Sequence, residues 1–147
     1  ARAPSVRWGV SPCESIEAEC ARRGRDAFAE GCIALLEGVQ PEKELVQALG
    51  GPASDKFFDG AEHEDTYWFR VWALRGLLWS WDDRALESVR EALGDDSWRV
   101  REMAAKVVAR NLLGDTLPAV AELGDDSVPR VRRAAERALV RLSAADA

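Results

Sequence analysis

The chain has 147 residues, 47% of them apolar and 31% charged, with a net charge of −6 and a pI near 4.9. That length and apolar share suit one folded domain with its own core and exclude a disordered chain. The acidic balance disfavours nonspecific attraction to phosphate or anionic lipid, no stretch approaches the roughly 18 apolar residues of a membrane helix, and no charged-then-apolar leader opens the chain, so a soluble cytoplasmic protein is expected.

The first element starts at Ser11-Pro12-Cys13-Glu14. Ser at the N-cap, Pro at the first helical position and Glu at the third predict a capping box and a helix over 12–23. Cys13, Cys20 and Cys32 lack a CxxC spacing, so they read as reduced structural thiols, with no metal site and no disulfide framework. Gly24 separates a second helix over 25–37, whose Phe28, Cys32, Leu35 and Leu36 form an apolar stripe. Pro41 opens a third helix carrying Leu45, Val46 and Leu49, and Gly50-Gly51-Pro52 ends it. Residues 50–65, rich in Gly, Ala and Asp around Phe57-Phe58, read as a long insertion loop able to gate a site, with His63 an exposed imidazole on it. Helices are then predicted over 66–80, 83–93, 97–113, 116–123 and 128–143. No strand pattern occurs, so the fold class is all-α.

From residue 66 the chain repeats itself every 31 residues. Phe69-Arg70 with Ala73 and Leu77, Val100-Arg101 with Ala104 and Val108, and Val131-Arg132 with Ala135 and Leu139 are one pattern written three times. Leu93-Gly94-Asp95-Asp96-Ser97 and Leu123-Gly124-Asp125-Asp126-Ser127 are identical connectors, in which Gly stops one helix and Asp or Ser caps the next. The columns Phe69, Trp72, Ala73, Gly76 and Leu77, and their counterparts through Met103 and Leu139, read as core. A second set of columns is cationic: Arg70, Arg101 and Arg132; Arg75, Lys106 and Arg137; then Arg110 and Arg141, aligned with Trp79. A supersecondary unit of this length cannot bury its apolar face alone, so such units stack.

The order Asp-Asp-Ser, Val-Arg, Ala three residues after the Arg, then Leu-Gly-Asp, resembles the short bacterial HEAT-like repeat. The resemblance is strong over 67–142 and weak before it. Tetratricopeptide and ankyrin signatures are absent, and armadillo repeats are the nearest competitor. The resemblance implies a right-handed α-solenoid of stacked antiparallel helix pairs, one domain over 1–147. Residues 1–65 would be divergent helices plus the insertion, and 66–147 regular repeats. It also implies that the second helices line the concave side, and that Arg70, Arg101 and Arg132 form an internal ladder with loop acids such as Asp96 and Asp126.

Against that structural ladder, Arg75, Lys106, Arg110, Arg137 and Arg141 are harder to explain internally and read as a partner-binding face. The alternative is a solvated cationic surface with no ligand. Six aromatics crowd 67–81. Phe69, Trp72 and Trp81 are assigned to the core, while Trp68 and Trp79 are candidate anchors, because Trp dominates binding hot spots.

Enzyme signals are poor. His63 is the only His, and neither a phosphate loop nor a nucleophile elbow occurs. No catalytic residue and no cofactor is assigned. The expected function is a non-catalytic scaffold or adaptor that binds another protein, through an acidic segment, with no membrane association. Two enzyme families share this repeat and supply alternatives, the alkylpurine DNA glycosylases, which bind nucleic acid, and the phycobilin lyases. The acidic pI and short chain argue against the glycosylase reading.

Overall fold

The computed structural model describes residue 9 and residues 11–39 and 42–145. Among these, all regular structure is helical. The chain forms two compact units, one ending at Trp81 and one starting at Asp82.

The first unit holds α1 (Pro12–Arg23), α2 (Arg25–Leu36), α3 (Lys43–Gly50) and α4 (Tyr67–Trp79). The capping box closes α1 as predicted: Ser11 Oγ accepts from the Glu14 amide at 3.1 Å, and Glu14 Oε1 accepts from the Ser11 amide at 3.4 Å. The predicted opening of the third helix at Pro41 lies outside the described residues, and α3 is helical from Lys43. Ile16, Phe28, Cys32, Leu45, Leu49 and Leu77 are all buried. Each fully buried aliphatic or aromatic side chain contributes about 1.5–3 kcal/mol to folding.

Gly76 decides how closely α4 can approach its neighbours. A Cβ there would stand 2.8 Å from Leu49 of α3 and 2.9 Å from the Cys32 sulfur of α2. The three cysteines form no disulfide with one another, and burial pushes the Cys32 thiol up to about 12, which keeps it protonated. Polar ties complete the packing. Ser15 donates to the Ala48 carbonyl at 2.8 Å, and Arg23 bridges buried Glu19 at 2.9 Å and Glu42 at 2.8 Å, joining α1 to the start of α3.

The insertion departs from expectation. Residues Gly51–Phe58 form a 3-10 helix rather than a loop. Runs of that length are uncommon because 3-10 hydrogen bonds are poorly aligned. Tertiary contacts hold this one: the Phe57 ring sits 4.8 Å from Phe69, 5.7 Å from Trp72 and 5.1 Å from His63. His63 is therefore not an exposed imidazole. Its side chain is only 19% exposed, and Nε2 lies 3.0 Å from Asp59.

The second unit holds α5 (Leu86–Ala92), α6 (Trp98–Asn111), α7 (Leu117–Glu122) and α8 (Pro129–Ala145). Helix α6 packs mainly on α8, with α5 against α6 and α7 against α8. The buried faces of these two helices carry small residues, Ala104, Ala105, Val107 and Val108 on α6 and Ala134, Ala135 and Ala138 on α8. Three residues expected in the core, Phe69, Met103 and Leu139, are only half-buried, as is Trp81. Phe69 meets the rings of Phe57 and Trp72 and is otherwise partly open, whereas its counterparts Val100 and Val131 are fully enclosed.

Candidate functional site

The two identical connector pentapeptides fold differently. The Asp95 carboxylate accepts from the Ser97 amide at 2.9 Å, whereas in the second connector Asp126 accepts from the Val128 amide at 2.9 Å. Asp126 thus matches Asp95, one residue before its match by pentapeptide identity, and this restores the 31-residue register in which Trp98 and Pro129 open their helices.

That register fixes the arginines next to the connectors. Arg101 Nε donates to Asp126 at 2.8 Å and its Nη1 donates to the Asp95 and Asp96 carbonyls at 2.8 and 3.1 Å. Arg132 donates to the Asp126 carbonyl at 2.6 Å. Asp96 thus meets Arg101 through its main chain. Arg70 is half-buried on α4.

Burial alone would raise the Asp126 carboxyl. Hydrogen bonds from Arg101 and the Val128 amide, with the charges of Arg101 and Arg132, outweigh it and hold the carboxyl below its ordinary value. A depressed folded-state value means that this stabilisation is present above the ordinary carboxylate range near pH ~4 and is lost as pH falls through the lowered value. Asp126→Asn should cost about 1–3 kcal/mol at neutral pH, the worth of hydrogen bonds to a charged group. It should also flatten the acid limb of stability, as read by urea unfolding from neutral pH down to pH ~3. An unchanged acid limb would mean that the pair contributes nothing.

The other cations are placed differently. Lys106, Ala109, Arg110, Asn111, Arg137 and Arg141 line a depression of about 540 Å3 on α6 and α8. An adjoining depression of about 250 Å3 shares Lys106, Ala109 and Arg137 and adds Glu102, Arg130, Arg133 and Ala134. Together they make a trough in which six cations face one carboxylate. Arg130 to Arg141 spans about 16 Å along α8 at 1.5 Å per residue. Glu102 is engaged chiefly by Arg130, at 3.0 and 3.2 Å, with Lys106 at 3.9 Å. Arg141 donates to the Ala109 carbonyl at 3.0 Å, tying α8 to α6. Among the described residues, no carboxylate lies within ion-pair distance of Arg133, Arg137 or Arg141.

Trp68 and Arg75 belong elsewhere. They line a pocket of about 590 Å3 in the first unit with Gly50, Ala53, Lys56, Phe57 and Trp72. Trp79 lines neither the trough nor this pocket. The structure therefore brings Lys106, Arg110, Arg137 and Arg141 together and sets Trp68 and Arg75 in a second place. Arg130 and Arg133 were missed in the sequence, although Arg130, Arg133, Arg137 and Arg141 follow the i, i+3, i+7, i+11 spacing of one helix face.

Among the described residues, no three His, Cys, Asp or Glu side chains gather as a metal site requires, and no helix is long and apolar enough to cross a membrane. Helices in a 31-residue register, with an arginine–aspartate link between successive repeats inside the second unit, are what a family comparison then meets: a model of HEAT repeats matches residues 54–140. The chain belongs to the HEAT-repeat family. No curated protein and no solved structure matches it. The match starts inside the 3-10 segment and ends on α8, so it takes in the trough except Arg141 and much of the aromatic pocket but leaves α1 to α3 outside.

Proposed function

We propose that this HEAT-repeat protein is a non-catalytic interaction module whose trough on α6 and α8 receives an acidic segment of a partner protein. HEAT repeats commonly mediate protein–protein interaction, which supports the class of function. The observation that carries the finer reading is the composition of the trough, six cations around one carboxylate in a chain whose net charge is −6. A concentrated basic strip on an acidic molecule attracts acidic side chains locally while the surrounding field repels extended polyanions. Arg133, Arg137 and Arg141 are spaced along one helix face, next to Arg130 on Glu102, and suit carboxylates distributed along a peptide, with guanidinium groups able to hold them bidentately.

The test is fluorescence anisotropy of a labelled Glu-rich peptide against the full chain, with a Lys-rich peptide and duplex and single-stranded oligonucleotides in parallel. The Glu-rich peptide should bind at low salt and weaken as ionic strength rises, the Lys-rich peptide should not bind, and the oligonucleotides should bind at least about tenfold more weakly. Failure to bind the Glu-rich peptide at low salt would overturn the proposal. Preferential binding of either oligonucleotide, with a steep salt dependence, would replace it with the nucleic-acid reading.

A further inference from the structure

We propose that Glu102 decides what the trough accepts: it closes one end to anions, so that a short run of carboxylates fits the other end and a continuous polyanion is turned away. This rests on the reading of the trough as the binding face. The trough has two unlike ends. Arg130 of α8 meets Glu102 of α6 at one, and Arg141 of α8 meets the Ala109 carbonyl of α6 at the other, so the two helices run alongside each other in the same direction. The smaller depression holds Glu102, Arg130 and Arg133, the larger holds Asn111 and Arg141, and Lys106 and Arg137 line both.

The Glu102 end is already satisfied. Its carboxylate accepts a fork of two hydrogen bonds from Arg130, at 3.0 and 3.2 Å, which is the geometry an incoming carboxylate would use, and Lys106 stands 3.9 Å away. The Glu102 side chain is 12% exposed against 58% for Arg130, so the acid is enclosed beneath its cation. The Arg130 guanidinium also lies over the Trp98 ring, 5.1 Å from the centroid, which limits its freedom to swing toward another anion.

The other end is open. Arg133 and Arg137 are exposed, and among the described residues neither has an acidic partner. Arg141 donates to a neutral carbonyl, which leaves its charge unbalanced. From Arg133 to Arg141 is about 12 Å along α8. An extended peptide with carboxylates at alternate residues spaces them about 7 Å apart, so two or three cover that length without reaching Glu102. A nucleic-acid strand carries a charge about every 3.4 Å, and one that follows the whole trough sets a phosphate against Glu102.

The probes are a peptide with three Glu at alternate positions and a single-stranded oligothymidylate longer than the trough, measured by fluorescence anisotropy against the full chain. Glu102→Gln keeps the shape of the side chain and can still accept from Arg130. At ~0.1 M salt, where charges more than about 10 Å apart are screened, it should tighten the oligothymidylate at least about tenfold and leave the peptide within about threefold. Releasing Arg130 and Lys106 to the strand should also steepen the slope of log affinity against log salt by about 1.4, at roughly 0.7 per contact. A change confined to folding would leave that slope alone. An unchanged oligothymidylate affinity, an unchanged slope, or an equal gain for both probes would overturn the proposal. The wild-type trough supplies a second test with Glu102 intact: Arg137→Gln should weaken the peptide about three- to fivefold and Arg130→Gln less than about twofold, and equal losses would count against a closed end. Failure of the peptide to bind the wild-type chain overturns the proposed function, and the oligothymidylate comparison reads the effect of Glu102 separately.

Discussion

Trp72→Ala should destabilise the protein by about 3–5 kcal/mol, the range for removing a large buried aromatic side chain. The side chain is 3% exposed. Its ring touches the Phe57, Trp68 and Phe69 cluster, with centroids 5.7, 6.1 and 6.1 Å away, and such pairs add about 0.5–1.5 kcal/mol each beyond burial. The loss is large because the neighbours cannot collapse into the hole. Gly50 has no side chain to move inward, and the 3-10 segment is held in place by the same ring it would have to follow. With a total stability of about 5–15 kcal/mol, much of the margin disappears. Urea unfolding followed by far-UV circular dichroism measures it. Trp79→Ala, at a half-buried position, serves as the comparison and should cost less than half as much. A deficit below about 1 kcal/mol for Trp72→Ala would show that the aromatic cluster does not hold the 3-10 segment in place.

The parts of the fold that were legible in the sequence were those set by short-range chemistry. Ser11 and Glu14 cap α1 through atoms three residues apart, so their pattern alone located the helix start. Alanines and valines at helical spacing marked the buried faces of α6 and α8. The 3-10 helix was not legible, because Gly51-Pro52-Ala53 signals a turn and only the distant rings of Phe69 and Trp72 make a helix of it. The identical pentapeptides are themselves one residue out of the 31-residue register: identity aligns Asp96 with Asp126, while the start of each helix aligns Asp95 with it.

The site was half legible on the same grounds. Comparing repeats finds what recurs, and Lys106 and Arg137 recur in register with Arg75, while Arg110 and Arg141 recur in the next cationic column. Arg130 shares its column with Arg99 and Trp68, and Arg133 shares one with Glu102 and Val71, so neither stood out as a cationic column. They enter the trough because they lie on one face of α8. That property belongs to one helix and its neighbour, not to the repeat. Arg75 illustrates the converse: it shares a column with Lys106 and Arg137 yet lines an aromatic pocket, because in the first unit α4 packs against α3 and its Phe69 and Trp72 rings meet Phe57 of the 3-10 segment.

Reversing two trough charges, Arg137→Glu with Arg141→Glu, should weaken binding of a Glu-rich peptide about a hundredfold at low salt. Each substitution removes an attraction and introduces a repulsion, and exposed pairs contribute about 0.2–1 kcal/mol each before the repulsion is counted. Both side chains are exposed, and among the described residues neither pairs with a carboxylate, so folding should change little. Arg141 also gives up its bond to the Ala109 carbonyl, which water can replace at the surface. Arg101→Gln supplies the contrast. Its guanidinium is bound to Asp126 and to two connector carbonyls, so this variant should lower the unfolding midpoint and leave peptide affinity within about threefold of wild type, a difference under 1 kcal/mol. The anisotropy and unfolding measurements together separate cations that hold the connectors from cations that meet a ligand. Wild-type peptide affinity in the double variant would remove the trough from the binding account, and a loss of affinity in Arg101→Gln equal to that of the double variant would place recognition on the connectors instead.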